Sequence, residues 1–247
     1  MKTTLHILPK IWQQLFLSII SLALISSCET SDTEPVNPYN YFPLEVGRYQ
    51  IYNIVEEVYS AGQKGSAIKS WKEKDEVIRM EKNTNGSVTY TMARSVLNSQ
   101  SQYWVKTKEY VVYSFPDKIT VNLDNEIFTS LIFPYSTNIK WDGYEYFHLD
   151  SRDPRYGYQH HYENINEPLK LDSIKLDKTL KVSERSDTTN QAQYRLGFKY
   201  YASGIGLVAD EQTNFDYLQE NGVFIGYRTI SSGSRRIKRI VEYGVLK

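Results

Sequence analysis

The sequence predicts an all-β, mainly antiparallel domain shaped as a curved sheet, a barrel or a sandwich. Three observations predict it. Tyrosine occurs 21 times in 247 residues, and tyrosine favours the pleated, half-buried surface of a sheet. Short stretches alternate apolar with polar side chains and are bounded by turn residues about every 8–12 positions. Beyond residue 40 no stretch longer than about ten residues keeps the 3.6-residue period of an amphipathic helix.

The first 27 residues stand apart from this pattern. Lys2 and Lys10 supply positive charge with no acid, and an uncharged run follows from Leu15 to Ile25. As a helix this run rises roughly 16 Å, about half a bilayer core, which suits a signal-peptide segment better than a membrane span. Ser26 and Ser27 are small and precede Cys28, the only cysteine, so no intramolecular disulfide can form. Residues 28–40 are rich in Ser, Thr, Asp, Asn and Pro and bury little apolar area, so they predict a flexible tether. The β domain is then expected over 41–247.

Phe42-Pro-Leu-Glu-Val-Gly47 marks a turn with apolar anchors. Arg48–Tyr59 alternates as a strand, with Tyr49, Ile51, Val55 and Tyr59 expected on its apolar face. Residues 60–66 predict a loop. Val77–Lys82 and Ser87–Val96 flank Asn85-Gly86, the strongest hairpin signal in the chain. Tyr103–Lys106 and Tyr110–Phe115 predict a pair turning at Thr107-Lys-Glu109. Ile119–Leu123 and Ile127–Phe133 pair across Asp124-Asn125. Leu169–Leu176 alternates as one strand that Thr179–Ser183 extends or pairs with. Tyr194–Tyr201 and a strand beginning near Leu207 follow. Val223–Ile230 and Ser234–Tyr243 predict a last hairpin across Ser231-Ser-Gly233.

Ile25-Ser26-Ser27-Cys28 resembles the lipobox of bacterial lipoproteins. The resemblance implies cleavage between Ser27 and Cys28 and acyl chains of the palmitate type on Cys28. It also implies passage through the lipoprotein processing and sorting machinery. The chemistry requires a thiol, because a thiolate is a strong nucleophile, and each buried CH₂ then contributes roughly 0.8 kcal/mol to membrane anchoring. Acidic Glu29-Thr-Ser-Asp-Thr-Glu34 resembles a diluted form of the surface-export signal of Bacteroidota-type lipoproteins; a plain solvated linker is the alternative. Phe42-Pro-Leu-x-x-Gly47, Phe133-Pro with Lys140-Trp141, and Tyr201-Ala-x-Gly-Ile-Gly-Leu-Val208 resemble a broad group of uncharacterised Bacteroidota-type lipoproteins. Asn138 departs from that pattern, standing where Gly is usual. This likeness implies a lipocalin-like or lipoprotein-carrier-like fold and a cell-envelope, outer-membrane location. No activity comes with it.

Composition narrows the function classes. Without the first 27 residues the chain carries 27 basic and 29 acidic side chains, and so near-even a balance gives no field to attract nucleic acid. The sequence has no G-x-S-x-G elbow and no Gly-rich phosphate loop. Gly204-Ile-Gly206 is expected at a bulge or tight turn rather than in a dinucleotide site. His148, Asp150, Asp153, His160 and His161 lie close in sequence, but neighbouring histidines on a strand point to opposite faces. Structural or surface roles are therefore expected, with no metal and no cofactor. Trp141, Tyr144, Tyr146, Tyr156 and Tyr158 form an aromatic segment. Its functional reading is glycan or peptide recognition, since each ring offers a flat apolar face and a polar handle; cross-strand packing is the alternative. Arg235-Arg-Ile-Lys-Arg239 reads either as contact with anionic headgroups or as an edge strand guarded by charge. The expectation is a lipid-anchored, non-catalytic binding or structural module. A glycan-directed hydrolase and a carrier of an apolar ligand on a concave sheet are the alternatives.

Overall fold

The computed structural model describes residues 37–98, 102–146 and 148–246. The cleavage point at Ser27, the expected lipid site Cys28 and most of the tether lie outside them. Within the described part, Asn37–Asn40 already pack on the β domain. Pro38–Tyr41 form one 3₁₀ turn, and the Asn37 side chain caps it by accepting from the Tyr39 amide at 3.0 Å.

The strands in chain order are β1 (Arg48–Tyr59), β2 (Ala67–Lys82), β3 (Val88–Leu97), β4 (Val105–Ser114), β5 (Lys118–Leu123), β6 (Glu126–Ile132) and β7 (Lys140–Trp141). Then come β8 (His160–Leu171), β9 (Ile174–Asp187), β10 (Gln193–Ala202), β11 (Gly206–Tyr217), β12 (Gln219–Glu220), β13 (Val223–Phe224) and β14 (Ile230–Val245). Twelve of them form one antiparallel sheet in the order β6-β5-β4-β3-β2-β1-β14-β11-β10-β9-β8-β7, and β12–β13 is a separate small hairpin. The sheet is therefore two meanders joined by the β1–β14 ladder, and its two ends, β6 and β7, are consecutive in the chain.

The sheet curls until those ends meet. The Thr129 amide of β6 donates to Gly143 O at 2.8 Å, and Trp141 Nε1 donates to Thr129 O at 3.0 Å. Tyr162 Oη on β8 donates to Ile132 O at 2.6 Å and accepts from Ile132 N at 2.7 Å. The result is an up-and-down barrel with one seam, sealed among the described residues by side chains and one backbone bond rather than a full ladder. Val112, Ile119 and Leu131 from one meander pack with Trp141, Tyr162, Leu180 and Val182 from the other in one apolar cluster. Tyr52, Ile54, Val208 and Ile240 centre a second.

Turn chemistry follows the residues. Asp124 and Asn125 both adopt positive φ, 55° and 65°, as a two-residue hairpin between β5 and β6 requires. Several boundaries differ from the sequence expectation. β4 runs straight through Thr107-Lys-Glu109, and the extra residue is taken up in a bulge between Arg94↔Lys108 and Ser95↔Lys106. Leu169–Leu176 is not one strand but a hairpin: Leu171 faces Ile174 across Asp172-Ser173, with Asp172 at φ 50°. A two-residue turn preserves alternation on both sides, so periodicity cannot reveal it. Ser231-Ser-Gly233 lies inside β14. Gly233 is required there because a Cβ would fall 2.0 Å from Asn214 O on β11. On β1 a bulge between Ile51 and Tyr52 changes the alternation: Ile51 is buried as expected, but Tyr52 and Ile54 follow it inward, while Tyr49 and Tyr59 are half-buried and Val55 is exposed.

The two bonds of Tyr162 make the seam testable. Tyr162→Phe removes both and leaves Ile132 N–H and C=O without that partner at a half-buried position, which costs about 1–3 kcal/mol. Urea denaturation of the full chain in detergent measures the loss; an unchanged midpoint would show that the seam does not need the hydroxyl.

Candidate functional site

The connection between β7 and β8, residues 142–159, forms the lip of the barrel beside the seam. Three Asx turns shape it, in which an Asp side chain accepts from the backbone two residues on. Asp142 Oδ1 accepts from Tyr144 N, Asp150 Oδ1 from Arg152 N and Asp153 Oδ1 from Arg155 N, each at 2.8 Å. The lip is tied down to the opposite strands. Glu145 accepts from Thr129 Oγ1 at 3.0 Å and from Lys118 Nζ at 3.1 Å. Arg155 reaches Asp153 and, at 2.9 Å, Glu126 on β6, while its guanidinium stacks 4.8 Å from the Tyr144 ring centroid.

The structure brings four of the five aromatic candidates together. Tyr144, Tyr146, Tyr156 and Tyr158 line one open cavity of about 610 Å³. Tyr146 and Tyr156 are exposed, at 47% and 53%. The Lys118 ammonium lies 5.1 Å from the Tyr146 ring and donates to its hydroxyl at 2.6 Å. Trp141 does not join them: it is 8% exposed and belongs to the core at the seam.

Tyr144 and Arg155 also line a second, open cavity of about 390 Å³ on the concave face, with Glu184, Arg185 and Gln212. Lys199 and Asp210 are shared between this one and a third, of about 140 Å³. The third is roofed by Phe42, Pro43 and Leu44 and walled by Val77, Met92 and Phe128, with Asp75, Arg94 and Lys238 in its polar floor. Three cavities thus run in sequence from an aromatic lip through a charged middle to a small apolar end.

The charged middle is a network that no local motif announces. Arg94 grips Asp75 with two bonds, at 2.7 and 2.9 Å. Lys238 bridges Asp75 at 3.1 Å and Glu73 at 3.2 Å, and Arg236 reaches Glu73 at 3.0 Å. Burial alone would raise the Asp75 carboxyl; the charges of Lys238 and Arg94 outweigh it and hold the group well below the usual carboxylate range. On the other wall Lys199 pairs with Glu184. The Gln212 amide donates to Glu184 at 2.8 Å and to Asp210 at 2.7 Å. Glu184 is likewise held low, burial being outweighed by Lys199. One signal for this network was present in the sequence: Lys72-Glu-Lys-Asp-Glu76 lies inside β2. A strand charged at every position must turn charge inward.

The histidines do not assemble. His160 is 2% exposed and T-stacked against Trp141 and Tyr144, at 5.6 and 5.5 Å. A Cβ on Gly143 would lie 2.0 Å from its ring. His161 points to the other face and bonds Glu163 at 3.1 Å. Among the described residues no group of three or more His, Cys, Asp or Glu is placed to hold a metal ion. Arg235–Arg239 is not an edge strand: β14 lies between β1 and β11 at the centre of the sheet. Its residues split by parity. Arg235 and Arg239 clamp Glu211 at 2.7 and 3.2 Å, while Arg236 and Lys238 enter the interior network.

Comparison with known proteins adds fold likeness only. No protein-family profile and no curated protein matches the sequence. The chain is similar to a candidate lipoprotein of Parabacteroides distasonis, at 14% identity and a TM-score of 0.38, covering 83% of this chain and 98% of the other. It is also similar to a candidate exported protein of Bacteroides fragilis with a YmcC-like fold, at 10% identity and a TM-score of 0.37, covering 81% and 98%. These likenesses carry no functional assignment.

His160 gives the domain a pH dependence of known sign. Burial lowers its pKa from 6.5 to about 4, so the folded state holds it neutral while the unfolded chain takes up a proton. Its contribution is complete above pH 6.5 and falls by about 3 kcal/mol as pH drops toward 4. Chemical denaturation at a series of pH values should show this slope in the wild type and a flatter one in His160→Asn. Equal slopes in the two proteins would contradict it.

Proposed function

We propose that this chain is a lipid-anchored protein of the bacterial cell envelope whose barrel holds a saccharide, bound and not cleaved, in the cleft between the 142–159 lip and the concave face. The anchor is the acylated Cys28 exposed by cleavage after Ser27, as the likeness of Ile25-Ser26-Ser27-Cys28 to a lipobox implies. The convergence of Tyr144, Tyr146, Tyr156 and Tyr158 on one cavity carries the binding reading. Their rings offer flat apolar faces with hydroxyl handles, the combination that sugars require. The cleft is preformed, because Asx turns and bonds to Thr129, Lys118 and Glu126 fix the lip before any ligand arrives.

A binding role is favoured over hydrolysis by the state of three of the cleft's carboxylates, Asp153, Glu145 and Glu184. Glycoside cleavage uses a carboxylic acid held protonated near neutral pH. Asp153 is lowered by its bond to Arg155. Burial would raise Glu145 and Glu184, but Lys118 and Lys199 outweigh it and lower both. Carriage of a long apolar ligand is disfavoured by size. The apolar end holds about 140 Å³, close to the roughly 150 Å³ of an engineered cavity that takes a single benzene.

Two measurements test these readings separately. Tyr146→Ala and Tyr156→Ala should each weaken binding of an oligosaccharide by roughly 2- to 10-fold, the worth of one aromatic contact, with unchanged melting temperature. No change in either variant would remove the lip from the site. Cys28→Ala should move the protein from the membrane fraction to the soluble one. Retention in the membrane would mean that a different anchor holds it.

A further inference from the structure

Beside the aromatic lip, one buried cation has no ion-paired carboxylate among the described residues. Arg185 on β9 is 6% exposed and lines the middle cavity. Among the described residues its hydrogen bonding is confined to Nη2, which donates to Gln212 Oε1 at 2.6 Å; its Nε is buried and unpartnered. The other charges of the interior are matched. Arg94 and Lys238 hold Asp75, Arg236 and Lys238 hold Glu73, and Lys199 holds Glu184. Asp210 stands between Lys199 and Lys238 in the strand register. Next to Arg185 the register places Gly197, so no side chain comes between Arg185 and Gln212. A Cβ there would lie 2.7 Å from Gln212 Oε1 and 3.0 Å from Arg185 Cγ and Nε. The glycine thus makes room for the Arg185 side chain beside Gln212. Burial lowers the Arg185 pKa although the charges of Glu184 and Asp210 oppose it, and a buried charge with no carboxylate in contact is costly. A guanidinium offers a planar fork that matches a carboxylate.

We infer that Arg185 is the seat of a ligand carboxylate, so that the saccharide taken by the cleft is an acidic one of the uronic-acid type. The inference rests on the saccharide reading above and names its class. The middle cavity, at about 390 Å³, falls within the roughly 300–1,000 Å³ of small-ligand sites. It joins the aromatic cavity through Tyr144 and Arg155, so a sugar held against the lip can direct its carboxylate down to Arg185. Gln212, which lines the same cavity, fixes the guanidinium through Nη2, and the ligand carboxylate is to meet the remaining donors.

The test is calorimetric titration of the full chain in detergent with a tetramer of galacturonic acid, the same tetramer as its methyl ester, and sodium acetate. The acid should bind at least about tenfold more tightly than the ester, since a charge-assisted fork is lost on esterification. Arg185→Gln should abolish that difference while leaving ester binding intact, which also reports that the variant is folded. Arg185→Lys, which keeps the charge and loses the fork, should retain only part of it. Equal affinity for acid and ester, or a difference that survives Arg185→Gln, overturns the carboxylate seat alone. Acetate binding as tightly as the acid tetramer overturns the sugar-acid assignment in favour of a simple anion. Binding of neither tetramer overturns the saccharide reading together with the seat.

Discussion

The closure of the seam between β6 and β7 is the constraint on which the rest of the structure depends. Each neighbouring pair in the sheet is joined by a backbone ladder except this one. Here Thr129, Trp141, Gly143 and Tyr162 replace the ladder with a few well-directed bonds. Without them the curled sheet would have two free edges and an interior open to water. With them, one apolar cluster spans both meanders and the following loop is held in place as a lip. The seam also explains why β7 is only two residues long. After Trp141 the chain leaves the sheet, and the backbone that would have formed a ladder becomes the wall of a cavity.

The interior so enclosed is not uniformly apolar. Carboxylates and cations from β2, β3, β9, β10, β11 and β14 meet across the concave face. Removing charges from water is expensive, and mutual attraction repays the cost only when hydrogen bonds satisfy the remaining atoms. That condition is met for Asp75, gripped twice by Arg94 and once by Lys238, and for Glu184, held by Lys199 and Gln212. Such a network fixes strand register, because a slip of one residue would turn every charge to the outer face. The same network keeps the barrel's middle polar and divides the concave face into an aromatic end, a charged middle and a small apolar end.

The Phe42-Pro-Leu44 segment has a part in this division. Tyr41, fully buried, bonds Asn166 at 2.6 Å and meets the Tyr135 ring at 5.3 Å, and Phe42 leans against Tyr201. The residues entering the domain therefore roof the apolar cavity. Anchoring the first strand and covering the interior are one structural act, which is why the aromatic run Tyr39–Phe42 precedes the first strand rather than lying within it.

The sequence by itself determined the fold class, most turns and the aromatic segment at the lip. Those features are local: Asn85-Gly86 and Asp124-Asn125 set hairpins through their own backbone preferences, and alternation reports a strand wherever one face is apolar. The tertiary structure alone decided which face of β1 turns inward, that β14 is central, and that Trp141 leaves the aromatic group to seal the seam. It alone decided that Arg185 has no ion-paired carboxylate among the described residues. The physical reason is common to all four. Periodicity assigns inside and outside by hydrophobicity, and here the inside is partly charged, so the pattern of β2 and β14 is the same on both faces. Pairing of Asp75 with Arg94 and Lys238, or of Lys199 with Glu184, depends on which strands become neighbours, and that is fixed only when the whole sheet closes.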